Sequence, residues 1–175
     1  MSGSTGNLGF SPSGKPRAKT SITTSGSGTF NGPAYDCWLL VRRCGGGAAG
    51  GSTSLPTTPQ LGGAAAPIVE DWVQHTAGAT YSYAVGANGI GVTSGQGGDG
   101  GDTTFGSLAP APGGRGGSHW SYDGGSSPWG KGGVRVPGGG STGGNGAGNG
   151  SGGGGTYNNG TGGDGAPGRL DILEF

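Results

Sequence analysis

Apolar residues along this chain gather in a few short runs separated by long polar or glycine-rich stretches. The densest run is "YDCWLLVRRC" at residues 35–44, with Tyr35, Trp38, Leu39, Leu40 and Val41, which predicts a strand that runs straight into "GGGAAGG". A second run, "PIVEDWVQHT", alternates: Ile68, Glu70, Trp72 and Gln74 share one side, Val69, Asp71, Val73 and His75 the other. The Ala77-Gly78 pair then signals a turn, and "TYSYAV" resumes with Tyr81, Tyr83 and Val85 on one face, so a hairpin is predicted over residues 68–85. The chain ends in "RLDILEF", a short strand with Leu170 and Ile172 on one face and Leu173 and Phe175 on the other. It is expected to pair with the strand around residues 38–41 or with the 81–85 strand. No window shows a 3.6-residue apolar period, so essentially no α-helix is expected.

The stretch between residues 86 and 168 raises the main question of the fold. The 175 residues include 50 glycines, where average usage of about 7% would give roughly 12, and only 29% are hydrophobic. A conventional core of normal size cannot be built from so little apolar side chain. Composition alone leans to a flexible linker, but a linker joins two cores, and here the closing strand needs the earlier strands as partners. A second route to order exists. Polyproline II geometry has three residues per turn and no internal hydrogen bonds, so its amides are available to neighbouring segments. Close lateral contact then demands glycine, because a Cβ would hold the backbones apart. A strict G-X-Y repeat would indicate collagen; here Gly140, Gly143 and Gly146 are in step before Gly150 and Gly153 shift phase. Short runs with phase breaks suit several short polyglycine II helices joined by turns. The margin is thin, since ordering a residue costs about 1–2 kcal/mol and a hydrogen bond returns about 0.5–1.5 kcal/mol net. The fold class expected is therefore mainly β and irregular: a small antiparallel β element plus a bundle of short polyglycine II helices.

Residues 1–28 are polar and rich in Ser, Thr, Gly and Pro, with Lys15, Arg17 and Lys19 as a small basic cluster. They read as an N-terminal arm, either a tail or a docking segment, ahead of a glycine-rich domain at 29–175. Nine basic and nine acidic side chains balance, which argues against a general nucleic-acid binder. No apolar h-region follows Met1, so no secretory signal is expected, and the run from Cys37 to Val41 is far too short to insert in a membrane. Cys37 and Cys44 are seven apart, on opposite faces of an extended strand and about 23 Å from each other, which argues against a disulfide.

Four blocks of the sequence are similar to the glycine-rich domains at the tips of bacteriophage tail fibres. "SGTFNGPAYDCWLLVRRCGGGAAGG" resembles their opening strand pair, and "AGATYSYAVGANGIG" resembles their "PGxxYxVxVGAGG" hairpin. "GGDTTFGSLAPAPGGRGG" resembles "GGDTSFGxxxAxGGxGG", and "GAPGRLDILEF" resembles the closing "GAPGxVxIxY". The blocks occur in the family's order and cover about residues 25–175. The resemblance implies a framework of packed polyglycine II helices against a small β element, with exposed loops that bind outer-membrane proteins or glycans of the host. It implies a virion location in a tail appendage, with a host cell-surface protein or glycan as partner. Other virion proteins would contact the N-terminal arm, and a homotrimer is one assembly open to the chain. The rival readings are an architectural virion protein of tail or capsid without receptor contact, and an ice-binding or cell-wall glycine-rich protein.

The candidate receptor-binding residues lie in "GGRGGSHWSYDGGSSPWGKGG", where paired glycines bracket His119, Trp120, Tyr122, Asp123, Trp129 and Lys131. Rings presented in a loop poor in other apolar residues suit stacking on sugars or protein side chains. The same rings could instead cover the glycine framework as local core, and both roles stay open. Tyr157, Asn158 and Asn159 form a smaller candidate tip. "GGDGGDTTF" nearly fits the calcium nonapeptide "GGxGxDxUx", with Thr104 at the apolar position, but such sites need tandem copies and only one is present. In the tail-fibre reading Asp102 and Thr103 shape a turn and Phe105 enters the core. "GNGSGG" matches GxGxxG yet follows no strand and opens no helix. His75 and His119 have no partners at metal spacing, and no nucleophile–base or paired-carboxylate arrangement stands out. Neither enzyme activity, nor a metal, nor a cofactor is expected.

Overall fold

A computed structural model of the protein describes residues 14–54, 61–117, 123–136, 141–156 and 159–175. These contain seven strands and no helix: β1 (Ala18–Ile22), β2 (Gly26–Asn31), β3 (Cys37–Cys44), β4 (Ile68–His75), β5 (Thr80–Val85), β6 (Thr104–Phe105) and β7 (Arg169–Glu174). Two antiparallel sheets form, one in the order β1-β7-β3-β4 and one in the order β2-β5-β6.

The predicted strands at 35–44, 68–75, 80–85 and 169–175 are present, but β4 and β5 do not form the hairpin expected of them. The tight turn exists, closed by the Ala79 N–H on the Thr76 carbonyl at 3.0 Å, with Gly78 at φ 73°. The strands on either side then part. β4 pairs along its full length with β3, from Cys37↔His75 to Cys44↔Ile68, while β5 pairs with β2 and β6. The β2–β3 link crosses sheets at the same corner, where Gly32 N–H reaches the Ala79 carbonyl and Gly78 N–H the Pro33 carbonyl. Parting the strands lets both contribute to one apolar cluster from opposite sides. Leu39, Val41, Leu170 and Ile172 come from the four-stranded sheet, Val85 and Phe105 from the other, with Ile22, Phe30, Val73, Tyr81, Tyr83 and Leu108 around them.

His75 is buried at the same corner. Its Nε2 lies 2.9 Å from the Pro33 carbonyl, which can only accept, so Nε2 carries the proton and Nδ1 accepts from the Tyr81 hydroxyl at 3.0 Å. Residues 18–22 and 26–28, read from sequence as arm, lie in strands. β1 is an edge strand beside β7, and its mostly polar side chains hide it from a hydrophobicity pattern. Residues 1–13 lie outside the described residues.

Beyond the strands, backbone hydrogen bonds continue with a different period. In residues 45–53, which prolong β3, the N–H groups of Gly46, Ala49 and Ser52 bond Gly101, Gly98 and Gly95. Those of Gly47 and Gly50 bond Ala166 and Gly163, and those of Ala48 and Gly51 bond Ala64 and Leu61. Every third residue addresses the same neighbour. The carbonyls of this segment accept from three more segments, through Gly114 and Gly117, Gly89, and Gly153 and Thr156, so it has six neighbours. Residues 150–156 are surrounded in the same way.

The strand registers run on into this region without a slip. β3 and β7 align Leu39 with Glu174 and Cys44 with Arg169, and the same diagonal leads to the Gly47–Ala166 and Gly50–Gly163 bonds. The β3–β4 register leads likewise to Ala48–Ala64 and Gly51–Leu61, and the β5–β6 register to Gly101–Ala87 and Gly98–Ile90. The sheets thus fix the alignment, and the glycine segments extend it with a three-residue repeat in place of two.

Close approach explains the glycines. A Cβ at Gly165 would fall within bonding range of the Gly47 carbonyl, and one at Gly143 would crowd the Gly154 carbonyl and sit 2.8 Å from the Gly163 nitrogen. By contrast, a Cβ at Gly101 would lie 3.1 Å from its nearest neighbour, the Ala87 nitrogen. Overpacking costs typically about 1–3 kcal/mol, and 1 kcal/mol moves the melting temperature of a domain this size by about 2–4 °C. Gly165→Ala and Gly143→Val are expected to lower the melting temperature by about 5 °C or more, or to prevent folding, with Gly101→Ala falling well short of that; calorimetry checks it, and equal tolerance at all three sites would contradict the close-contact account. Because β7 lies between β1 and β3 and carries Leu170 and Ile172 into the core, deleting residues 169–175 should abolish the cooperative transition, as followed by circular dichroism and amide exchange.

Candidate functional site

Of the six candidate receptor-binding residues, His119, Trp120 and Tyr122 lie outside the described residues. Asp123, Trp129 and Lys131 belong to an excursion that leaves and rejoins the glycine region. Gly124 N–H bonds the Gly133 carbonyl at 2.7 Å, and Ser127 and Gly130 pair across the tip. The tip reads Ser127-Pro128-Trp129-Gly130, with proline at the second turn position and glycine at the fourth, and the Ser127 hydroxyl accepts the Trp129 N–H at 3.2 Å. Asp123 is exposed, and its carboxylate accepts the Arg135 N–H at 2.6 Å. Lys131 is exposed, and its carbonyl accepts the Ala147 N–H. Trp129 is half-buried: the Arg169 guanidinium lies 5.2 Å from its ring centroid, so this ring is anchored to the four-stranded sheet. At the smaller candidate tip, Tyr157 and Asn158 lie outside the described residues. Asn159 is exposed at φ 59°, a left-handed position asparagine tolerates, and donates to the Thr53 carbonyl.

Arg169 connects the Trp129 turn to a surface that the loop-centred reading of the sequence did not single out. On the outer face of the four-stranded sheet, opposite Leu39 and Val41, the register places Phe175 beside Trp38, and Leu173 beside Leu40 and then Trp72. Trp72 is 50% exposed and its ring centroid lies 5.1 Å from that of Phe175. A polar row borders this apolar block: Arg42 Nε meets Glu70 at 2.6 Å, and Asp171 meets Arg169 at 3.0 Å and Lys19 at 3.4 Å. The signal was present in strand parity, since Trp38, Leu40 and Arg42 alternate with the core residues of β3. It was obscured because an aromatic strand position reads as core by default.

Burial by itself would raise the Asp171 carboxyl, but the Ser21 hydroxyl, Arg169 and Lys19 outweigh it and hold the group below the ordinary carboxylate range. Tyr35 donates to Glu174 at 3.0 Å, which together with the nearby negative charge raises its phenol. The remaining buried polar groups serve the frame. Arg43, wholly buried, binds Asp71 and the Ala109 carbonyl. Thr103 donates to the Cys44 carbonyl at 2.7 Å and accepts the Gly86 N–H at 3.0 Å, and Phe105 is fully buried.

Asp99 and Asp102, the carboxylates of the calcium-like motif, accept the N–H groups of Gly116 and Gly113. Among the described residues no three His, Cys, Asp or Glu side chains converge as a metal site. Cys37 and Cys44 are free thiols. Strand parity puts them on opposite faces, yet both are buried, because Cys44 sits where the sheet meets the glycine region and Gly150 covers it. Burial pushes the Cys44 thiol up to about 11 and raises that of Cys37, so both stay protonated near neutral pH.

The lowered Asp171 carboxyl sets a pH dependence. Its contribution to stability is complete above the ordinary carboxylate range, where the unfolded-state group is also ionised, and is lost as pH falls through the lower folded-state value. Asp171→Asn should therefore lower the melting temperature at pH 7 and flatten the acid limb of a melting-temperature-versus-pH curve; an unchanged acid limb would show that other carboxylates govern it. No protein-family model matches this sequence, and no curated protein shows significant similarity to it.

Proposed function

We propose that this chain is a bacteriophage tail-fibre or tail-tip protein that binds the host surface, and that its glycine segments are polyglycine II helices. The observation that carries the reading is the ordered series of four sequence blocks, from "SGTFNGPAYDCWLLV" to "GAPGRLDILEF". It is supported by the three-residue period of the hydrogen bonds in the glycine region, which is the period of a polyglycine II helix, and by the six neighbours around residues 45–53. In this reading the protein acts by binding and not by catalysis. A framework tied together by backbone hydrogen bonds limits the ordering entropy lost when a loop engages its target. The 118–131 excursion carries the contact, with Trp120 and Trp129 as ring anchors and Asp123, His119, Tyr122 and Lys131 as polar partners. The receptor is a host cell-surface protein or glycan, and the N-terminal arm meets other virion proteins.

One observation favours the architectural alternative. Trp38, Leu40, Trp72, Leu173 and Phe175 form an apolar block on an outer sheet face, a surface suited to contact between virion subunits, including a trimer of this chain. Losing a hot-spot ring typically costs about 2 kcal/mol or more, roughly a thirtyfold loss of affinity. The double variant Trp120→Ala, Trp129→Ala is expected to lose binding to receptive host cells by at least that factor while keeping most of its thermal stability. Undiminished cell binding would move the contact elsewhere or favour the architectural role, and global unfolding would assign the rings to the frame.

A further inference from the structure

A polar groove of about 470 Å³ opens where the glycine region meets the end of β1. Its polar side chains are Thr23, Asn88, Asn145, Asn149 and Asp164, beside Ala166 and Pro167 and the backbone of Gly146, Gly148 and Gly165. Each longer side chain spends one atom on the frame. Asn88 Nδ2 donates to the Gly89 carbonyl, and Asn145 Oδ1 accepts the Asp164 N–H at 2.9 Å. Asp164 Oδ1 accepts the Gly91 N–H at 2.7 Å, and Asn149 Nδ2 donates to the Thr23 and Gly168 carbonyls, each at 2.9 Å. These bonds fix the side chains in place and leave their second polar atoms, Asn88 Oδ1, Asn149 Oδ1, Asp164 Oδ2 and Asn145 Nδ2, uncommitted among the described residues.

From this we propose that the groove is a binding site for a neutral saccharide. Three pre-positioned acceptors and one donor match a ligand that presents many hydroxyl donors. The single carboxylate and the absence of a lysine or arginine from the lining disfavour phosphates and acidic sugars. The volume lies within the range of ligand sites and admits a mono- or disaccharide, and the lining glycines let a sugar ring approach the backbone. The groove is also joined to the Trp129 turn, because the Ser127 hydroxyl donates to the carbonyl of Asn149 at 2.5 Å. The assignment does not rest on the host-attachment reading, since saccharide binding by these residues is independent of the 118–131 rings.

The test uses the full chain, ¹⁵N-labelled, titrated with glucose, galactose, N-acetylglucosamine and their disaccharides, with calcium chloride and inorganic phosphate as controls. At least one saccharide is expected to shift the Asn145 side-chain amide and the Gly146 and Gly165 backbone amides saturably. Asn145→Asp keeps the acceptor for the Asp164 N–H but removes the free donor, and Asp164→Asn keeps the acceptor for the Gly91 N–H. Each should weaken binding about tenfold or more with little change in melting temperature. No saturable shift with any of these sugars, a response to calcium or phosphate alone, or full affinity in both variants overturns the proposal. If the variants do not fold, the location of the wild-type shifts decides it. Sugar binding retained by the Trp120→Ala, Trp129→Ala protein would separate this site from host attachment.

Discussion

Among the described residues, the structure outside the two sheets depends on one interaction, the hydrogen bond from a backbone N–H to the carbonyl of a laterally packed segment, made at a separation that at most of the glycines leaves no room for a Cβ. The bond itself is ordinary, at 2.7–3.0 Å for most pairs around residues 45–53. What is unusual is its partner: successive residues of one segment bond three different neighbours, so each segment is held from several sides. A side chain at Gly47, Gly50 or Gly165 would run into a neighbour's backbone, whereas Ala48, Ala49 and Ser52 of the same network carry theirs. The glycine content therefore follows from lateral packing at least as much as from turns. Among the described residues, only eight glycines need a positive φ, whereas most of the others meet backbone atoms where a Cβ would stand.

Such a network has weak internal means of choosing its alignment, because one glycine is much like the next. The sheets supply that choice. In β3 and β7 the burial of Leu39, Val41, Leu170 and Ile172 on one face makes a one-residue slip costly, since it would turn the apolar set outward. Three strand-pair registers then continue into the glycine region on the same diagonals. A small apolar cluster can in this way organise a much larger body of backbone that has no side-chain core of its own. Polar side chains add to the network where Asp99, Asp102, Asp123 and Asp164 each accept a backbone N–H.

The outer sheet face and the polar groove follow from the same plan. The outer face of the four-stranded sheet has side chains that the core does not need, and these are aromatic at one end and charged at the other. The groove where the glycine region meets the end of β1 arises because Asn88, Asn145, Asn149 and Asp164 serve the frame with one atom each and retain another. Trp129 is half covered, held to the four-stranded sheet through Arg169, with the rest of its ring open to solvent.

The strands at residues 37–44, 68–75, 80–85 and 169–174 were legible from alternation and apolar density, as was the turn at Ala77-Gly78. Those features depend on local pattern, which survives without knowledge of partners. β1 was not legible, because an edge strand with polar side chains buries little and leaves no period-two signal. Nor was the separation of β4 from β5 into different sheets, since a turn specifies a reversal of the chain and not whether the flanking strands stay paired. The faces of Trp38, Trp72 and Phe175 could be read from parity, but which face meets the core depends on where the second sheet lies. The sequence alone determined that so much glycine demands either disorder or lateral backbone contact. Which segments touch, in what register, and which asparagines come together at the groove were decided only by the tertiary structure, because glycine carries no side chain to encode a partner.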